Sequence, residues 1–389
     1  MTNQEFIAKN KDADVQALAL GNHPKEIDLH FCLEQITGLQ TIRKKVPSIA
    51  QKEGILFPKK LSLEQCSSEQ TALYKRQLTE RLLPMKRAKM ADLTGGFGID
   101  FSFLAKLFGE ADYVERDAQL CETARHNFPL LDLPHARIHN TSCEGFLDET
   151  GDFDLLFLDP SRRDSAGRKV IALNDCSPDI EALKDKLLGH APLVMIKLSP
   201  MLDIKDAIRR LPEVHEVHVV SVDGECKEVL LVLSRQSEGV TFHCINIGSR
   251  TQLFCSDNLD SKPEIATRLE YYLYEPNASI LKAGVQNALC RTFDIKKLHS
   301  FSHLFISSRF IEDFPGRAFT IEDSYSFSKK DIKRLQADIS QCNLTVRNFP
   351  ATVAELRKRL KLREGGDVYL FATTLSDDSH VLLRCKQIL

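Results

Sequence analysis

Apolar positions recur at helical spacing through the first eighty residues, then the period changes. Residues 3–20 and 28–45 are expected to be helices, the second with Leu29, Cys32, Leu33, Ile36 and Leu39 on one face. Phe57-Pro58 breaks the chain, and Ser67-Ser68 offers serine caps to a helix that carries Tyr74 and Lys75. From about residue 89 to 235, short apolar runs alternate with helical stretches. Strands are expected to end near Asp92, Glu115, His139, Asp159 and Lys197, a βαβ rhythm that predicts a parallel sheet. The run Phe153-Asp154-Leu155-Leu156-Phe157-Leu158 has the character of a strand buried on both faces. Residues 214–222 alternate with period two, Asp223-Gly224-Glu225 signals a turn, and 229–233 forms a second strand, so the sheet ends in an antiparallel hairpin. Beyond Ser234 a second hairpin (240–246 with 251–255) and a helix over 278–289 are expected. After Arg317 the expected order is strand 318–321, helix 329–341, strand 345–347, helix 353–362, and strands 368–373 and 380–385. The fold class is therefore α/β, with a helical N-terminal region and a C-terminal α+β part.

A chain of 389 residues has room for two or three domains at roughly 150 residues each. Its formal net charge of −2 gives no broad positive field, so contact with nucleic acid must come from local patches. One stands out. Between residues 343 and 366, Arg347, Arg357, Lys358, Arg359, Lys361 and Arg363 face only Glu355 and Glu364, which suits RNA phosphates or a solvated helix face. Eleven cysteines, an odd number without a C-x-x-C pair, read as reduced thiols of a cytoplasmic protein. The start lacks a signal-peptide pattern and no apolar run reaches about 18 residues, so neither secretion nor membrane spanning is expected. The twelve histidines are scattered. His215-Glu216-Val217-His218 falls on a strand, where the two imidazoles face opposite sides, so no metal site is expected.

The stretch around which the rest is organised is Asp92-Leu93-Thr94-Gly95-Gly96-Phe97-Gly98-Ile99-Asp100, a strand end, a glycine turn and a helix start. Glycines there remove Cβ atoms that would hold a ligand off the backbone. Glu115 closes the second strand, and Asp159-Pro160-Ser161-Arg162-Arg163 follows the fourth. This order resembles the class I S-adenosylmethionine-dependent methyltransferases, with a Rossmann-like sheet. Together with Tyr274-Glu275-Pro276, Lys282-Ala283-Gly284 and Gly365-Gly366-Asp367-Val368-Tyr369-Leu370, the layout resembles bacterial methyltransferases with a ferredoxin-like segment and a THUMP-like domain at the C-terminus. The expected divisions are a helical region over 1–85, the methyltransferase domain over 86–235, a ferredoxin-like or linker segment over 236–317 and the THUMP-like domain over 318–389. The resemblance implies S-adenosylmethionine as cofactor and RNA, a tRNA or rRNA, as substrate. It places Asp92, Thr94, Gly95, Gly96, Gly98 and Asp100 about the methionine part and Glu115 on the ribose hydroxyls, with Asp159 and Pro160 closing the site. Ser142 stands where many relatives have an Asp on the adenine amino group, leaving that contact to backbone groups of Ser142 and Cys143.

Asp159-Pro160-Ser161-Arg162 departs from the Asp/Asn-Pro-Pro-Tyr/Phe form of exocyclic-amine methylases, which stack a flipped base on the aromatic ring. Arg162 and Arg163 instead suit bidentate contact with phosphate, or pairing with Asp154 or Asp164. Lys75, Asp159, Lys197 and Glu228, from four separate elements, look like the Lys-Asp-Lys-Glu tetrad of ribose 2′-O-methyltransferases. A ribose hydroxyl is a poor nucleophile, so it needs a base or ammonium groups that stabilise its alkoxide. In this expectation Lys197 is the base, tuned by burial and by Lys75, and the two carboxylates hold it. The alternatives are methylation of an RNA base, a small-molecule methylase, and a non-catalytic protein that binds cofactor and RNA.

Overall fold

Strands form where the short apolar runs stand, in a computed structural model that describes all residues except 86, 162–172, 174–175, 237–238, 258, 260 and 389. The strands β1 (Lys89–Asp92), β2 (Glu110–Val114), β3 (Ala136–His139), β4 (Leu155–Leu158) and β5 (Val194–Leu198) lie in the order β3-β2-β1-β4-β5. All four neighbouring pairs are parallel, with Ala91 opposite both Asp112 and Leu156. Every residue of β4 and β5 is buried, which explains their unbroken apolar character. β6 (Val214–Val222) and β7 (Glu225–Leu233) form the expected hairpin, and β7 follows β5 in the strand order. Its turn uses positive φ at Asp223 and Gly224, 50° and 78°, the twist a two-residue hairpin loop prefers.

The chain divides into two compact units, one of Met1–His215 and Leu230–Glu238, the other of Glu216–Val229 and Gly239–Leu389. In the first unit, helix Leu29–Lys45 is capped by Asp28 and buries Cys32, Ile36 and Ile42. Gly38 on that helix sits so close to Phe57 that a Cβ would lie 2.3 Å from the ring's own Cβ. Helix Glu69–Leu82, capped by Ser68, packs against helix Ile99–Leu104 behind the glycine turn and buries Lys75.

In the second unit, β8 (Thr241–Ile247) pairs parallel with β6 and antiparallel with β9 (Gln252–Ser256). A separate seven-stranded sheet comprises β10 (Tyr272–Pro276), β11 (Lys296–Lys297), β12 (Phe305–Ser307), β13 (Gly316–Ser326), β14 (Gln341–Arg347), β15 (Arg363–Thr374) and β16 (His380–Gln387), in the order β11-β12-β10-β13-β16-β15-β14. Leu335, Leu356, Leu360, Leu370 and Leu382 share one core cluster here; Leu273, Phe319, Phe371 and Leu383 share another.

Three helical expectations shift. The N-terminal helix divides into Asn3–Asn10 and Val15–Ala19, because Asp14 turns out of the helix and caps the second piece through Ala17 N–H at 2.8 Å. The helix expected over 278–289 stops at Ala283, where Gly284 takes φ 78°, and resumes as Ala288–Phe293. The helix expected to reach 341 ends at Asp338, since Ile339 is extended and Gln341 opens β14. Among the described residues no helix is long and apolar enough to cross a membrane.

Candidate functional site

The turn after β1 is built by backbone pairing into both neighbours. Leu93 N–H donates to Phe157 O and Gly95 N–H to Val114 O, each at 2.9 Å. Asp92 Oδ1 accepts from Thr94 N–H at 3.0 Å, and Thr94 Oγ1 accepts from Asp159 N–H at 2.6 Å, so the ends of β1 and β4 are tied together. Asp92 is buried, and that burial pushes its carboxyl well above the ordinary value.

The three glycines have different reasons. A Cβ on Gly95 would lie 2.1 Å from the Tyr113 ring, and one on Gly98 3.0 Å from Phe128. These two glycines therefore make room for the aromatic cluster of Phe101, Tyr113 and Phe128, whose centroids are 4.9 to 5.5 Å apart. Gly96 is the one that faces open space, with φ 55° and nothing nearer its missing Cβ than Thr94 O at 3.8 Å. Its N–H donates to Glu115 Oε2 at 2.9 Å, while Glu115 Oε1 accepts from Asp117 N–H at 2.9 Å. Both carboxylate oxygens are thus fixed by amides and keep further lone pairs for hydroxyl donors. The open face of Gly96 and the oriented Glu115 fit a nucleoside with free ribose hydroxyls.

Ser142 caps helix Cys143–Glu149, its Oγ accepting from Gly145 N–H at 3.1 Å. Cys143 is buried, and burial pushes its thiol up to about 12. These two residues begin the helix that follows β3. Pro160 is buried, while Arg162 and Arg163 lie outside the described residues.

Behind the turn, three of the four tetrad candidates come together around Asp100. Lys197 Nζ lies 2.5 Å from Asp159 Oδ2, 3.4 Å from Asp100 Oδ2 and 3.1 Å from Ser67 Oγ. Lys75 Nζ lies 3.2 Å from Asp100 Oδ1 and 3.3 Å from Ser67 Oγ, and Ser67 Oγ donates to Asp100 Oδ2 at 2.7 Å. Burial by itself raises the Asp100 carboxyl, but the ammoniums of Lys75 and Lys197 and the Ser67 hydroxyl outweigh it and hold it below the ordinary value. Lys75 has no exposed surface and Lys197 retains 9%, whereas the Asp159 side chain is 37% exposed. Asp159 is therefore the member a substrate can reach, with Lys197 directly behind it. Asp100, expected at the cofactor, is the hub of this cluster. Ser67 was missed, since a serine beside a capping serine carries no mark of its own. Glu228 is buried on the part of β7 that belongs to the second unit.

The basic residues of the tail are not equivalent. Arg347 donates to Glu275 Oε1 at 2.8 Å, and the buried Glu275 also pairs with Arg317, so Arg347 is committed to a carboxylate. Arg357 is half-buried and lies 3.3 Å from Glu364. Lys358, Arg359, Lys361 and Arg363 are exposed, Arg359 resting 4.1 Å above the Phe327 ring.

Against known proteins, a model described as a THUMP domain-like domain matches residues 316–387, and one described as a ferredoxin-like domain matches residues 272–315. No curated protein matches the chain in sequence. A solved structure described as a "putative methyltransferase" from Porphyromonas gingivalis W83 is 32% identical, covering 100% of this chain and 98% of its own, with a TM-score of 0.89. A "putative RNA methyltransferase" from Pyrococcus horikoshii is 16% identical over 49% of this chain and 97% of its own, with a TM-score of 0.36. A precorrin-6y C5,15-methyltransferase from Geobacter metallireducens GS-15 is 16% identical over 42% of this chain and 87% of its own, with a TM-score of 0.31. By its full-length likeness to the first of these, the chain belongs to the family of class I methyltransferases that carry ferredoxin-like and THUMP-like domains at the C-terminus.

Proposed function

We propose that the chain is an S-adenosylmethionine-dependent RNA methyltransferase, and that its acceptor is a ribose 2′-hydroxyl. The observation that carries the acceptor assignment is the cluster in which Lys197 stands between Asp159 and Asp100 beside the glycine turn. When bound, the cofactor supplies a methyl group already activated on a sulfonium. Gly96 and Glu115 are the residues that would hold its ribose, and Asp92 with Thr94 shapes the turn beneath it.

The chain's own part is to ready the hydroxyl. In this reading Lys197, held between two carboxylates, donates to the developing alkoxide, and Asp159, the exposed partner, accepts the hydroxyl proton. In this proposal the base is Asp159, not Lys197 as the sequence suggests. Lys75 touches no substrate and acts through Asp100, which keeps Lys197 in register. The exposed Lys358, Arg359, Lys361 and Arg363 of the THUMP-like domain supply phosphate contacts.

The test follows labelled methyl groups from the cofactor into RNA. Lys197→Met and Asp159→Asn are each expected to lower turnover by about 100-fold or more while leaving cofactor and RNA affinity near the parent's. Undiminished transfer in both variants would remove the ribose assignment.

A further inference from the structure

The second unit holds a cluster of metal-ligating side chains, none of which has a role in the proposed reaction. In β6, Glu216 and His218 lie two positions apart and so share a sheet face. The parallel pairing of β6 with β8 puts His243 directly opposite His218, and the antiparallel pairing of β8 with β9 puts Cys255 opposite His243. Glu216 Oε2 is 2.8 Å from His218 Nε2 and 3.8 Å from His243 Nε2. On the other side of the His243 ring, Nδ1 is 3.3 Å from Cys255 Sγ. His215 and His218, three positions apart on one strand, are not the pair that meets. The partner that matters comes from the neighbouring strand through a register the sequence does not state.

We propose that Glu216, His218 and His243 bind a divalent transition-metal ion of the zinc class. One donor atom from each lies within 4.8 Å of the others. Donors about 2.1 Å from a tetrahedral ion stand about 3.4 Å apart, between the two carboxylate–imidazole distances here. Two imidazoles and one carboxylate suit zinc, cobalt or nickel better than magnesium or calcium. The three side chains are only 1 to 17% exposed, so an ion among them would be held largely out of solvent. Cys255 is a positioning residue: its Sγ lies against Nδ1 of His243, while the Nε2 of the same ring faces Glu216. The two imidazoles stack at 4.4 Å with planes 8° apart, so both lone pairs converge only when one ring turns. His243, the more exposed of the two, makes that turn. The ion then cross-links β6 to β8, with water in the fourth position.

The experiment titrates full-length protein, freed of metal by a chelator, with Co(II) and then Zn(II). One equivalent of Co(II) is expected to give the visible bands of a low-coordinate ion, without an intense thiolate charge-transfer band. Zn(II) then displaces it and raises the unfolding midpoint. Glu216→Gln and His243→Gln should each weaken Co(II) binding tenfold or more. Cys255→Ala should weaken it by about tenfold and Cys255→Ser should restore it. If His243→Gln fails to fold, the Glu216 and Cys255 variants still decide. Absence of these bands, parent-strength binding in Glu216→Gln, or a thiolate band lost in Cys255→Ser would overturn the proposal. The last two outcomes place the ion elsewhere, and the first leaves a proton shared by Glu216 and the imidazoles.

Discussion

Two groups of basic residues, one in each unit, do opposite work. In the first, Lys75 and Lys197 are buried and matched by Asp100 and Asp159 within 3.4 Å, so their charge is fixed in place and acts over a few ångströms. In the second, Lys358, Arg359, Lys361 and Arg363 are exposed, so they act as a field on any polyanion that approaches. A buried charge is positional and costly to disturb; an exposed one is cheap to replace and sensitive to salt. Arg347 and Arg357, although in the same basic stretch, side with the buried kind through Glu275 and Glu364. Sequence charge alone does not separate these classes, because burial decides.

The sharpest way to break this contrast is Asp100→Asn. It leaves two ammoniums in the interior with one carboxylate, and it is expected to cost about 3 to 5 kcal/mol in denaturant unfolding. A variant as stable as the parent would show that the cluster is not a charge-matched unit. Next is Gly95→Ala, which forces a methyl into Tyr113 and should cost about 1 to 3 kcal/mol. Gly96→Ala meets only open space and backbone strain. It should cost about 1 kcal/mol in stability yet weaken cofactor binding more than Gly95→Ala does.

Smaller effects test the exposed side. Lys358→Glu, Arg359→Glu and Lys361→Glu together are expected to weaken RNA binding about tenfold and to flatten the plot of log affinity against log salt by about two units. Protein stability should change little. Arg357→Glu should do the reverse, lowering stability more than RNA affinity, because its guanidinium is half-buried beside Glu364.

The smallest effect is in pH. Asp92 has a folded value raised above 3.8, so the folded chain binds that proton more tightly and the ionised residue costs stability. Stability contributed by the protonated form is present below 3.8 and is lost as pH rises through the folded value. Asp92→Asn should therefore gain on the parent over that window. Asp100 runs the other way: its lowered folded value contributes stability above 3.8 that disappears as pH falls through it. Unfolding curves at several pH values separate the two.

The parallel sheet was legible because β4 and β5, buried on both faces, read as unbroken apolar runs with chemistry at their ends. The Lys-Asp-Lys order was legible for the same reason, since Asp159 immediately follows β4 and Lys197 lies near the end of β5. What escaped depends on packing. That Gly95 and Gly98 clear space for Tyr113 and Phe128 follows from contacts that no local pattern states. β11 is only Lys296–Lys297, two cationic residues with no strand pattern, and Lys297 is nevertheless buried against Asn287 Oδ1 and Ser300 O. His243 meets His218 through strand register, which no local period encodes.

The central claim is methyl transfer to an RNA ribose beside Asp159 and Lys197. Its most direct test incubates the parent protein with methyl-labelled S-adenosylmethionine and total RNA, then identifies the labelled nucleoside. The account predicts label in a 2′-O-methylated nucleoside, with linkages that resist alkali. Label confined to a base, or no label although cofactor and RNA both bind, would contradict it.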